Sequence, residues 1–171
     1  MSYEPVPTTD NAESKQQYLA GACDTYTTDA SALHGTRINL ENPDDHMVLP
    51  EIISKEPLGP LVRHGDDNWA DIGRWVLNAL VIAEEKGITS KNVKELAAKD
   101  NKDKEINRLL GKDPLQGLSK LGLSADWAVN VISQVGNYQE SFEKHLFPLT
   151  IKRGMNALYR DGGLHYIPPI K

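Results

Sequence analysis

Cysteine occurs once in this sequence, at Cys23. No disulfide can close within the chain, and no thiolate-based zinc site can be built from it. Long apolar runs are missing as well. The most apolar stretch, "WVLNALVIA" from Trp75 to Ala83, is interrupted by Asn78. It falls well short of the ~20 residues that a membrane-spanning helix needs. An excess of positive charge is also absent. Lys and Arg number 19 against 24 Asp and Glu, and the basic residues are interleaved with acids. That balance argues against nucleic acid, whose phosphates call for clustered Lys and Arg. The start, "MSYEPVPTTDNAESKQQYLAG", has no basic segment followed by an apolar one. It does not read as a secretory signal, so a chain made as written is expected to stay in the cytoplasm.

The residue patterns of common catalytic sites are missing too. The five histidines, His34, His46, His64, His145 and His165, show no i, i+4 pairing and no Cys partner. They read as surface or capping residues rather than metal ligands. Cys23 sits beside Asp24, and a neighbouring negative charge makes a thiol harder to ionise. There is no G-x-S-x-G elbow. Gly111-Lys112 is followed by Asp113, and no glycine stands five residues before Gly111, so a phosphate loop is excluded. Carboxylates pair at Asp44-Asp45, Asp66-Asp67 and Glu84-Glu85. Adjacent helical residues do not face each other, and the polar surroundings favour solvated caps and surface charge. No cofactor, metal or enzymatic activity is expected.

What is there is enough chain, 171 residues, for one ordinary domain with a real core. Up to about Pro50, short β-type runs alternate with short helical ones. "YEPV" reads as a strand, and Asp10-Asn11 opens a helix carrying Ala12, Tyr18 and Leu19, closed by Gly21. "DTYTT" reads as a second strand, Asp29 to about Arg37 as a second helix, and "HMVLP" as a third strand. This β-α-β-α-β order predicts an α/β sheet. "EIISKEPLGPLVRHGDDNW" suits a chain crossing between two bodies, with one more short strand in "LGPLVRHG".

From Asp66 onward the reading is mostly helical. Asp66-Asp67-Asn68 offers caps, and Trp69, Ile72, Val76, Leu80 and Ala83 recur at spacings of three and four. Gly87 ends that helix and Thr89-Ser90 starts another. "KDNKDKE" is a solvated link. Ser124 is expected to cap one long helix with a stripe of Trp127, Val131, Val135, Tyr138, Phe142 and Leu146. Trp69, Trp75 and Trp127 read as core. Gly162-Gly163 is a stop, and Pro168-Pro169 holds the tail extended.

Asp29 has two readings. It follows a β-type run and precedes Ala-Ser-Ala-Leu, which makes it a good N-cap. It also lies just beyond a strand's carboxyl end, where open α/β sheets bind ligands. A carboxylate offers about four acceptor sites, so it could cap a helix and still take a ligand ammonium.

Several stretches carry a resemblance. "YLAGACDTYTTDASAL", "MVLPEIISKEPLGPLVRHGDDNWADIGRWVLNALVIAEEKGITSKNV", "EINRLLG", "LGLSADWAVNVISQVGNYQESFE" and "GMNALYRDGGLHYIPPIK" resemble the later half of the general L-amino-acid-binding proteins. These are periplasmic solute-binding components of polar amino-acid ABC transporters. The resemblance implies part of a periplasmic-binding-protein fold of type II, with two α/β lobes and a cleft between them. It implies that residues 1–51 end lobe two, that 52–57 make the return crossing, and that 58–171 close lobe one and add a helix-rich extension. In the family's DxxxxD pattern, here Asp24 to Asp29, it implies that Asp29 binds the ligand α-ammonium while Asp24 is structural.

The implied partners are a polar or broad range of L-amino acids and a membrane permease, in the periplasm. The arginine that the family uses for the ligand α-carboxylate has no counterpart among Arg37, Arg63, Arg74, Arg108, Arg153 and Arg160. With one wall of the cleft, the chain alone is expected to bind amino acids weakly or not at all. A half sheet in each lobe leaves edges to cover, and self-association is one expected way of covering them. The alternative is a ligand-free interaction remnant that needs a partner chain.

Overall fold

Capping side chains such as Asp10, Asp66 and Asn137 set where several helices of this chain begin. The structure, a computed structural model, describes residues 2–54, 57–112 and 121–170. It falls into two units, Met1–Glu56 and Pro57–Lys171. Residues 55 and 56 of the expected crossing segment lie outside the described residues.

In the first unit, α1 spans Asn11–Leu19 and α2 spans Ala30–Ile38. Asp10 accepts a hydrogen bond from Glu13 N at 2.8 Å, and the Glu13 carboxylate in turn accepts one from Thr9 N, also at 2.8 Å. Gly21 ends α1 with φ +73, and Ala22 N closes back on Gln17 O at 3.0 Å. Only glycine adopts that left-handed turn without a Cβ penalty. Tyr18 Oη lies 2.7 Å from His46 Nδ1, and Arg37 Nε donates to His46 O at 2.7 Å. These contacts tie α1, α2 and the following turn, Pro43–Asp45, together. No described side chain of this unit is fully buried, while Met47 and Ile53 are 80% and 85% exposed.

The second unit holds α3 (Asp67–Glu85), α4 (Val93–Ala98), α5 (Lys104–Leu109), α6 (Trp127–Val135) and α7 (Tyr138–Leu146). Asp66 caps α3 by accepting from Trp69 N at 3.1 Å. The core joins Ala79, Ile82 and Ala83 of α3 to Ile88, Val93, Leu109, Leu110, Trp127, Ala128, Ile132 and Ile170. The expected stripe on α3 is thus buried only toward its C-terminal end. Trp69 at the other end is 58% exposed, Trp75 packs on the core's edge and Trp127 lies inside it. Asn101 and Asn107 are buried as a pair, Asn101 N donating to Asn107 Oδ1 and Asn107 Nδ2 to Asn101 O, each at 2.9 Å. They satisfy the backbone of the α4–α5 link that the sequence marked as merely solvated. The tail is anchored on α5, where Ile170 N donates to Glu105 Oε1 and Arg108 Nη1 to Ile170 O.

Two expectations are corrected. The single long helix after Ser124 is two helices, because Gly136 takes φ +82 and Asn137 starts α7 afresh. Asn137 and Glu140 form a reciprocal capping box: Glu140 N donates to Asn137 Oδ1 at 2.9 Å and Asn137 N to Glu140 Oε2 at 2.8 Å. A Cβ on residue 136 would lie 2.6 Å from Glu140 Cβ, so the break needs glycine. The strands expected in "YEPV", "DTYTT", "HMVLP" and "LGPLVRHG" carry no ladder among the described residues. Among the described residues the one backbone bridge is parallel, between Leu158 and His165. β-propensity reports what a pleated, half-buried surface tolerates. A strand also needs a neighbour's N–H and C=O groups in register, and these runs have none among the described residues.

Glu140 also accepts from Ser90 N at 3.0 Å and Ser90 Oγ at 2.7 Å, which fastens the α3–α4 link to the α6–α7 break. Burial raises its pKa, but the hydrogen bonds from Ser90 and Asn137 outweigh that and hold it below the ordinary 4.5. A carboxyl depressed by folding stabilises the fold above its unfolded pKa and loses that contribution as pH falls through the folded one. Glu140→Gln is therefore expected to cost about 1–3 kcal/mol at pH 7 and to flatten the loss of stability below pH 4.5. Urea unfolding at pH 7 and pH 3.5 measures both.

Candidate functional site

The candidate site begins with Asp29, in the first unit. Its φ of −53 and ψ of 140 place it outside α2, as the N-cap residue. Its carbonyl accepts from Leu33 N at 2.9 Å and so starts the helix. Its side chain makes no capping hydrogen bond. The sequence reading of Asp29 as a side-chain cap is thus met in position and not in bonding. Asp29 is half-buried, and no hydrogen bond or ion pair of its carboxylate is found among the described residues. The amides of the first turn of α2 face the same end, and a helix N-terminus favours negative charge. Asp24, five residues earlier, is exposed. An ionised carboxylate without an internal cation is an acceptor for a cation or for strong N–H donors.

Five of the six arginines have other engagements. Arg37 serves His46 O and reaches Asp44 at 3.4 Å, Arg74 pairs with Asp71 at 2.9 Å, and Arg108 bonds the tail carbonyl of Ile170. Arg160 donates to Glu85 O at 3.0 Å. Arg153 pairs with Glu84, its Nη2 lying 2.9 Å and 3.1 Å from the two carboxylate oxygens. Arg63 is exposed, in the second unit. Among the described residues no group of three His, Cys, Asp or Glu is placed to hold a metal ion, and no helix is long and apolar enough to cross a membrane.

The Glu84–Arg153 pair corrects the reading of Glu84-Glu85 as surface charge. The Glu84 side chain is 7% exposed. Helical spacing from Val76 and Leu80 puts it on the inward face, a signal present in the sequence. Arg153 lies on an irregular segment and carried no such signal. Its guanidinium lies 5.2 Å from the centroids of both the Tyr138 and Phe142 rings, a cation–π geometry. Asp66 behaves as the cap that the sequence announced, and His46 bonds Tyr18.

No protein-family model matches the chain. It is 50% identical, over its whole length, to the general L-amino acid-binding periplasmic protein AapJ of Rhizobium johnstonii, of which it covers 51%. It is 52% identical to the glutamate/glutamine/aspartate/asparagine-binding protein BztA of Rhodobacter capsulatus, again covering 51%. It is 48% identical to the putative amino-acid ABC transporter-binding protein YhdW of Escherichia coli K12, covering 50%. Among solved structures, it is similar to an ABC transporter periplasmic binding protein from Brucella ovis with glutathione bound. The TM-score is 0.91 at 50% identity, over all of this chain and 54% of that one. The chain spans about half the length of the relatives it matches. It corresponds over its whole length to the C-terminal half of amino-acid-binding periplasmic proteins of ABC transporters.

Proposed function

We propose that this C-terminal half serves amino-acid binding for uptake through an ABC transporter, with Asp29 taking the ligand α-ammonium. The observation that carries the reading is the half-buried Asp29 carboxylate at the start of α2, with no hydrogen bond or cation for it among the described residues. Its relatives are solute-binding transport proteins rather than enzymes. The named ligands of those relatives are amino acids, and the Brucella ovis neighbour holds glutathione. Glutathione's γ-glutamyl end carries the same α-ammonium and α-carboxylate as a free amino acid. A carboxylate facing that ammonium makes a charge-assisted hydrogen bond, stronger than a neutral one.

The rest of the cleft, including a cation for the α-carboxylate, belongs in this reading to the portion of the relatives that this chain does not span. The site of action is the periplasm and the partner a membrane permease. Alone, the chain grips one end of a ligand and binds weakly, since affinity needs both ends held in an enclosed site.

The second reading is an interaction remnant without a ligand. Two features favour it: the first unit buries no described side chain, and Met47, Leu49, Ile52 and Ile53 are exposed. Those groups call for cover by a partner chain or by a second copy.

Calorimetry separates the two. The isolated chain is expected to show no micromolar binding of Gln, Glu or His. A chimera in which this chain replaces the matching half of the Brucella ovis relative is expected to bind an amino acid. In that chimera Asp29→Asn is expected to cost about 1.5–3 kcal/mol, roughly tenfold to over a hundredfold in affinity. Unchanged affinity in the Asp29→Asn chimera would remove Asp29 from the site. A chimera that folds and binds nothing would favour the remnant.

A further inference from the structure

One imidazole sits where the C-terminal segment meets α7. His165 pairs with Leu158 in the parallel bridge. Tyr159 N donates to His165 O at 3.0 Å, His165 N to Ala157 O at 3.1 Å, and Leu164 N to Met155 O at 2.9 Å. The ring stands edge-on to Tyr138 of α7, with centroids 4.4 Å apart and planes at 75°. Arg153 lies 5.2 Å from the same Tyr138 ring and is paired with Glu84 of α3. His165 Nδ1 is buried and has no hydrogen-bond partner among the described residues.

That nitrogen can stay buried as the bare acceptor of a neutral imidazole with its proton on Nε2. As an imidazolium it becomes a buried N–H without an acceptor, which is the costlier form. The charged and titratable groups around the ring are Arg153, Glu84 and Tyr138. Burial depresses the His165 pKa below the ordinary 6.5 and the Arg153 cation lowers it further, while Glu84 opposes them. Glu84 is already matched by Arg153, so it is a poor counter-ion for a second cation.

We propose that the Glu84–Arg153–Tyr138–His165 cluster is an acid-released clasp. When His165 takes up a proton, residues 154–166 detach from α3 and α7, while the core around Ile82 and Ile132 stays packed and the Ile170 anchor on α5 holds. The direction follows from linkage. A histidine whose folded pKa is depressed contributes stability above pH 6.5 and loses it as pH falls through 6.5 toward the folded value. One proton is involved, so the opening equilibrium rises by up to about tenfold per pH unit within that window.

Hydrogen exchange of the full chain between pH 7.5 and 5.0, corrected for intrinsic rates, tests the clasp. The amides of Tyr159, Gly163, Leu164 and His165 are expected to lose protection as pH falls from 6.5, up to about tenfold per unit, while those of α3 and α6 keep theirs. His165→Gln and His165→Phe are each expected to abolish that pH dependence. The phenylalanine keeps the edge contact with Tyr138 and has no nitrogen to protonate. Should neither variant fold, the imidazole titration of His165 by NMR in the unsubstituted chain decides, with a midpoint below 6.5 expected. Equal pH dependence in His165→Gln, or a midpoint at or above 6.5, overturns the proposal.

Discussion

Arg153→Ala is expected to lower the unfolding free energy of the second unit by about 3–5 kcal/mol. Its partner explains the size. The Glu84 carboxylate is 7% exposed and receives hydrogen bonds from Arg153 Nη2 at 2.9 Å and 3.1 Å. Without the guanidinium, the buried Glu84 carboxylate is left without its cation. The same substitution removes the hydrogen bonds that Arg153 gives to Asn156 O, from Nε at 3.1 Å and from Nη2 at 2.9 Å. Attraction within a buried pair mostly offsets the cost of drying both ions, so removing both charges is far milder than removing one. The double variant Glu84→Leu with Arg153→Met is expected to recover most of the loss. Urea unfolding of the two variants beside the unsubstituted chain checks it, and equal losses would show that the pair's charges are not the cause.

The next largest effect is expected at Gly111, just past α5. Its φ is +84, and the turn is closed by Gly111 N to Arg108 O at 3.1 Å and Lys112 N to Asn107 O at 2.9 Å. A Cβ there would lie 2.1 Å from the backbone oxygen of Ala125. Backbone cannot rotate away as a side chain can. Gly111→Ala therefore combines about 1–2 kcal/mol for a left-handed alanine with about 1–3 kcal/mol of overpacking. Gly122 supplies the control. Its φ is +74, and a Cβ there meets none of the described residues within 4 Å. Gly122→Ala is expected to cost the conformational part alone. The difference between their denaturation midpoints isolates the collision with Ala125; equal shifts would mean that the chain relaxes around it.

Much of the local structure was legible because it depends on near neighbours. Asp10, Gly21, Asp66 and Gly87 mark helix ends in the sequence, and helices start or stop there. Capping is a hydrogen bond to a residue two or three positions away, so a short window contains both partners. Asp29 was legible in the same way as the start of α2. That its carboxylate is left out of the cap was not, since the side-chain torsion that decides it has no sequence signature. The break at Gly136 was misread as a continuous stripe. Apolar spacing persists across Gly136, and a periodic pattern does not see a change of helix axis. The failure of the β-type runs to pair has the opposite cause: their residue types suit strands, but pairing needs backbone from elsewhere.

The sequence was enough to give the helix-rich second unit, the Asp66 cap and Gly87 stop of its first helix, and the resemblance that the comparisons bear out. These rest on composition, spacing and neighbours along the chain. Packing of distant segments decided which acid of Glu84-Glu85 is buried, which arginine meets it, that Asn101 and Asn107 close a loop, and that His165 Nδ1 is buried. Each of these joins residues far apart in the chain or fixes a side chain's surroundings. Burial and desolvation, which set the energies of such contacts, exist only once distant segments have packed.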